Sequence, residues 1–165
     1  MKIMLPVDGS EPALDAVRFA LRLAREGLAC QFVLCNVQEP LHLYEMVLAH
    51  DADLVKRASA GAGAHALEAA ERLLRATGLP VESEVVTGDP AHKLVERVER
   101  HGCDAVIMSA RGAGALRQAL VGSVSQSVLH LSPVPVVIVK PPPDPEAEPD
   151  ELAEAARDAG STSPG

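Results

Sequence analysis

The sequence predicts a single α/β domain: a doubly wound, five-stranded parallel sheet with helices on both faces. Three observations predict it. Short apolar runs alternate with helical stripes in the order β-α-β-α-β-α-β-α-β, which implies right-handed crossovers between parallel strands. The inner runs lack polar/apolar alternation, as strands buried on both faces should. The chain has 165 residues, 47% of them hydrophobic, which suits one domain with a sizeable core. Aromatic residues make up only 2% and Trp is absent, so that core must be built from Ala, Val, Leu and Ile.

Each element has its own signal. Ile3-Met4-Leu5-Pro6-Val7 is an apolar run ending at Asp8-Gly9-Ser10, read as a buried strand. Apolar residues then recur at Ala13, Ala16, Val17, Ala20, Leu21 and Ala24, a helical stripe. Ser10 suits its N-cap, Pro12 its first turn, and Gly27 closes it. Gln31–Val37 is the second strand. The stretch from Gln38 to about Asp51 carries no clear local signal. A helix-rich segment follows, with Leu54, Val55, Ala58, Ala66, Leu67, Ala70, Leu73 and Leu74 as its apolar positions; Gly61 and Gly63 weaken its middle. Gly78-Leu79-Pro80 stops it.

Val81–Val86 has the mixed polarity of an exposed edge strand. Gly88-Asp89-Pro90 is a turn into a helix, with Asp89 as N-cap and Pro90 at the first position. Leu94, Val95 and Val98 give that helix its apolar face, and Gly102 ends it. Ala105–Met108 is a fully apolar fourth strand. After a Gly-rich loop, Val124, Val128 and Leu131 mark a last helix, and Val134–Val139 a fifth strand. Lys140-Pro141-Pro142-Pro143 closes a domain spanning residues 1–140. Residues 141–165, rich in Pro, Glu, Asp and Ala, read as a mostly disordered acidic tail.

Charge and cysteine usage narrow the function classes. The formal net charge is −8, of which the tail carries −6. Neither part has the basic excess that nucleic acid or an anionic membrane would favour. Apolar runs are far too short for a membrane span, and the N-terminal residues leave no room for a signal-peptide core. Three cysteines without a CxxC pair argue against a disulfide framework and for a reducing, cytoplasmic setting. Cys30 and Cys35, five apart, should face opposite sides of their strand as small buried hydrophobes. The six histidines show no metal-ligand spacing.

In an open parallel sheet, ligands bind beyond the carboxyl ends of the strands where the strand order reverses. Three places qualify: Pro6-Val7-Asp8, Val37, and the segment from Ser109 to Ser125. The last is the most informative. Glycines let a backbone approach phosphate closely, and Gly122-Ser123 sits where a helix should start, so free N–H groups and the helix dipole make an anion site. The hydroxyls of Ser123 and Ser125 can add hydrogen bonds, and Arg111 or Arg117 can neutralise phosphate. The plain alternative is a loop using glycine to turn, with Ser123 as an ordinary N-cap. Asp8 likewise has two readings: an acceptor for an exocyclic amine or ribose hydroxyl, or a turn carboxylate holding nearby amides.

These segments resemble the universal stress proteins, whose nucleotide-binding members carry G-x2-G-x9-G-[ST] after the fourth strand. Gly112, nine residues, then Gly122-Ser123 match; the motif's first glycine falls on Ser109. The resemblance covers roughly residues 2–140 and includes Val-Asp-Gly-Ser at 7–10, Gly88-Asp89-Pro90 and the closing run 133–139. It implies a Rossmann-like sheet of the adenine nucleotide α-hydrolase type with strand order 3-2-1-4-5. It implies ATP as ligand, with Mg²⁺ on the phosphates. Pro6, Val7 and Asp8 would line the adenosine side, Val37 would meet the adenine edge through its backbone, and Met108 and Ser109 would lie near the ribose. Gly112, Gly122, Ser123, Val124 and Ser125 would cradle the phosphates, with Arg111 beside them.

The expected function is therefore a nucleotide-binding regulatory protein of the stress response, acting through other proteins and not as a turnover enzyme. A homodimer through the Val134–Val139 edge is expected. The alternative is a dimeric interaction module of the same fold without nucleotide. An ATP-pyrophosphatase-type enzyme is disfavoured, because the loop after strand one reads Val7-Asp8-Gly9-Ser10 and not S-G-G-x-D-S.

Overall fold

A computed structural model describes residues 1–39, 52–112 and 121–140, with side chains described outside 52–60. Nine elements follow in the expected order: β1 (Lys2–Pro6), α1 (Glu11–Arg25), β2 (Gln31–Gln38), α2 (Ala52–Arg75), β3 (Val81–Thr87), α3 (Pro90–His101), β4 (Ala105–Ser109), α4 (Ser123–Leu131) and β5 (Val136–Val139). The five strands form one parallel sheet in the order β3-β2-β1-β4-β5. The order reverses between β1 and β4, so a crevice opens beyond their carboxyl ends.

Alternate residues of each inner strand feed two cores. Ile3, Leu5, Phe32, Leu34 and Ile107 pack under α1 and α2 with Ala13, Val17, Ala20, Leu67 and Leu74. Met4, Val33, Cys35, Val106 and Met108 pack under α3 and α4 with Leu94, Val98 and Val128. The period of two therefore survives as a choice between two apolar layers, which is why the inner strands read as continuous hydrophobic runs. Cys30 packs beside the first core and Cys35 within the second.

The helix signals translate directly. The Ser10 hydroxyl accepts from Ala13 N–H at 3.3 Å and donates to Asp8 Oδ1 at 2.6 Å, so cap and preceding turn are joined. Asp89 Oδ1 accepts from His92 N–H at 3.0 Å, and Gly102 ends α3 at φ 60°, the left-handed region where glycine costs least.

Helix α2 runs through both Gly61 and Gly63, and Gly63 is in addition a point of close approach, where a Cβ would sit 2.4 Å from Val85 Cγ1 and 2.8 Å from Asn36 Oδ1. Three expectations are corrected. Strand β5 starts at Val136, not Val134. The Val134 N–H is held by Ser132 Oγ at 3.3 Å and Pro135 has no N–H, so the ladder to β4 opens with Val106 N–H on the Pro135 carbonyl. Leu131 is 46% exposed and does not belong to the buried stripe of α4, which rests on Val128. Gly122, not Ser123, is the N-cap of that helix. The stretch 40–51, the loop 113–120 with Arg117, and the acidic tail lie outside the described residues. Among the described residues, no helix is long and apolar enough to cross a membrane.

Candidate functional site

The crevice at the strand-order reversal is a cavity of about 640 Å³, within the range of small-molecule sites. Eleven of the twelve residues singled out from the sequence line it: Pro6, Val7 and Asp8 after β1; Val37 on β2; Met108 and Ser109 at the end of β4; Gly112; and Gly122 through Ser125 entering α4. Arg111 does not line it; its backbone carbonyl instead accepts from Ser109 Oγ at 2.6 Å.

The start of α4 carries the clearest chemistry. Gly122 is an extended N-cap at φ −72° and ψ 160°, and having no side chain it gives the helix no side-chain cap. Its own N–H donates to the Ala110 carbonyl at 2.7 Å. The next three amides, of Ser123, Val124 and Ser125, meet no acceptor among the described residues. These are the orphan donors of a helix N-terminus, where the macrodipole adds roughly half a positive charge. Gly122 thus contributes clearance, while the amides that follow it contribute the donors.

The hydroxyls are committed differently from expectation. Ser125 Oγ is buried and donates to the Ser109 carbonyl at 2.9 Å, and Ser109 Oγ closes the turn on Arg111. Both are hydrogen bonds that shape the loop, so the Ser109 hydroxyl is turned inward. Ser123 is exposed at the mouth.

Asp8 acts as a turn carboxylate. Oδ1 accepts from Ser10 N–H at 3.0 Å and from Ser10 Oγ. Oδ2 lies beside Gly112, where an added Cβ would sit 2.5 Å from it. A side chain at 112 would therefore force the Asp8 carboxylate to shift. Gly9 is also closely approached, at φ 85° with Ala66 Cβ 3.2 Å from where its own Cβ would be.

Sequence reasoning missed part of the wall. Pro90 and Leu94 from the start of α3, with Cys35 and Met108, make one apolar side; Asn36 and Glu39 add polar groups. The Cys35 thiol is held up at about 12, first by burial and then by the Glu84 charge, so it stays protonated and packs as a hydrophobe. Burial likewise raises Cys103, to about 11. Asn36 is 2% exposed; its Nδ2 donates to the Val7 carbonyl at 2.7 Å, and its Oδ1 accepts from Gln38 Nε2 at 2.6 Å. A polar residue inside the run Phe32-Val33-Leu34-Cys35-Asn36-Val37 was the available signal.

The chain resembles proteins with the same frame. It is 28% identical over 141 residues to Universal stress protein MJ0531 of Methanocaldococcus jannaschii, covering 86% of this chain and 82% of the relative. Universal stress protein YxiE of Bacillus subtilis is 27% identical, over 84% of this chain and 98% of its own. The solved structure of hypothetical protein MJ0577 superposes with a TM-score of 0.74 at 26% identity, over 87% of this chain and 97% of that one. Two further solved structures share the fold. One is a universal stress protein in complex with cAMP, at TM-score 0.61 and 24% identity over 84% of this chain and 96% of that one. The other is an Arabidopsis thaliana family protein with AMP bound, at 0.62 and 20% over 92% and 94%. The model of the universal stress protein family matches residues 1–140, and the chain belongs to that family.

Proposed function

We propose that this protein binds an adenine nucleotide in the crevice beyond β1 and β4 and acts as a regulatory binding protein in the stress response. The observation that carries the reading is the row of three unmatched amides, Ser123 to Ser125, opening onto a cavity of nucleotide size. An anion seated there gains charge-assisted hydrogen bonds from those amides. Val37 offers its backbone to the base, and Leu94, Met108 and Val124 offer apolar walls. Ligands named in two solved neighbours, AMP and cAMP, support the adenine class. ATP with Mg²⁺ is the polyphosphate member that the Gly112–Gly122 spacing favours.

The role is binding rather than turnover. The buried hydroxyls of Ser109 and Ser125 are tied to protein carbonyls. Three free thiols suit the cytoplasm. Calorimetry with AMP, ADP and ATP, each with and without Mg²⁺, tests the reading. Heat from at least one nucleotide is expected; none from any would return the protein to the interaction-module alternative.

We also propose a homodimer through β5. Among the described residues this strand pairs only with β4, and Val137 on it is 38% exposed, with Leu129 and Leu131 of α4 exposed nearby in sequence. An open apolar edge is a template for pairing with a second copy. Light scattering should give twice the 17.3 kDa chain mass, and Val137→Lys, placing like charges together, should give the monomer. A monomeric parent protein would refute the interface.

A further inference from the structure

Hydrogen bonding along β2 alternates. Peptide groups of odd residues face β1: Gln31 N–H donates to the Met1 carbonyl at 2.9 Å, and the Cys35 carbonyl accepts from Val7 N–H at 2.9 Å. Even residues face β3: Phe32 N–H donates to the Pro80 carbonyl, and the Gln38 carbonyl accepts from Gly88 N–H, both at 3.0 Å. Val37 therefore faces β1. In a regular parallel ladder the next rung is Val37 N–H to the Val7 carbonyl. That rung is missing: pairing of β1 with β2 ends at Pro6 opposite Cys35, and its last bond is Val7 N–H to Cys35.

The acceptor has been taken by a side chain. Asn36 Nδ2 donates to the Val7 carbonyl at 2.7 Å. Its orientation is fixed from behind, because Gln38 Nε2 donates to Asn36 Oδ1 at 2.6 Å and only the nitrogen is left to turn toward Val7. The site is buried and closed by α2 at Gly63, so the amide has no room to swing away. Val37 is left with its N–H and C=O both aimed past the end of β1 toward the cavity it lines, and neither is bonded among the described residues.

We propose that Asn36 is a positioning residue for base recognition: by occupying the Val7 carbonyl it stops the ladder one rung early and frees the Val37 peptide for a ligand. The inference rests on the nucleotide reading above. A free donor and acceptor side by side match the edge of adenine, which presents a ring nitrogen acceptor next to an exocyclic amine donor. Hypoxanthine presents an N–H and a carbonyl in those places. The device thus gives selectivity for the adenine edge, beyond whatever the phosphate seat provides.

Two measurements on the full chain test this. In the ligand-free parent protein the Val37 amide should exchange with deuterium far faster than Cys35 N–H, and AMP should slow it. In Asn36→Leu, which is similar in size but has no donor, the Val37 amide should become protected without ligand. AMP affinity should then fall about tenfold, the scale of one lost hydrogen bond, and the preference for AMP over inosine monophosphate should collapse. Gln38→Leu, which releases the Asn36 amide without emptying the site, should shift both readouts in the same direction and serves if Asn36→Leu does not fold. A Val37 amide as protected as Cys35 in the ligand-free parent overturns the inference. So does an unchanged preference for AMP over inosine monophosphate in both variants. If the parent shows a fast Val37 amide but binds no AMP, the nucleotide reading and the recognition role fall together, and only the interrupted ladder stands.

Discussion

Gly122→Val is expected to lower AMP affinity by about a hundredfold or more while moving the melting temperature by only a few degrees. The backbone at 122 is ordinary extended chain at φ −72°, so a side chain causes no torsional strain there. The obstacle is space. A Cβ alone would lie in ordinary contact, 3.4 Å from the Ala110 carbonyl oxygen and 3.7 Å from Arg111 Cα, with no space left beyond it on that side. The two further methyls of valine, with few χ1 choices, must push into the loop or over the amides that follow. The 2.7 Å bond from Gly122 N–H to Ala110 ties loop to helix, so displacing one moves the other. A phosphate then loses some or all of the Ser123–Ser125 donors, and hydrogen bonds to charged groups are worth about 1.5–3 kcal/mol each. Gly122→Ala should bind close to the parent, because its Cβ makes only ordinary contact. Calorimetry with AMP beside thermal denaturation separates binding from folding. A valine variant that binds like the parent would show that this helix end is not the anion seat.

The second large effect is on stability, and two glycines in the same helix should answer with opposite signs. Gly61→Ala is expected to stabilise by about 1 kcal/mol, the helix-propensity difference between the residues, since a Cβ there meets nothing within 4 Å. Gly63→Ala gains the same propensity and loses more. Its Cβ would fall 2.4 Å from Val85 Cγ1 and 2.8 Å from Asn36 Oδ1, and neither neighbour is a free surface chain end. Overpacking of this kind costs about 1–3 kcal/mol, and here it also displaces the amide that holds Val7. A net loss of about 1–2 kcal/mol is expected, read as a drop of several degrees in melting temperature. Equal shifts for both variants would mean that α2 does not press on β2 and β3 at residue 63.

That contrast also marks where sequence reading stops. Local signals were legible because each is settled within a few residues: Ser10 and Asp89 cap their helices, Gly102 takes the left-handed turn, and strands such as Leu5, Leu34 and Ile107 announce burial by being apolar. Most of the cavity wall was legible for a related reason, because motif spacing and the rule of carboxyl-end crevices both act along the chain. Gly63 was not. A glycine needed for close approach looks the same in sequence as one that merely weakens a helix, and only the position of Val85, some twenty residues on, tells them apart. Asn36 was hidden similarly: its partner Val7 lies 29 residues away. Val134 looked like strand because it is β-branched, but Ser132 claims its N–H first.

A crystal structure of the chain grown with saturating AMP tests the central claim most directly. A phosphate oxygen should lie about 2.7–3.2 Å from at least two of the Ser123, Val124 and Ser125 nitrogens, with the purine edge on the Val37 peptide. AMP bound elsewhere, or a phosphate held only by side chains while those amides stay hydrated, would contradict the account.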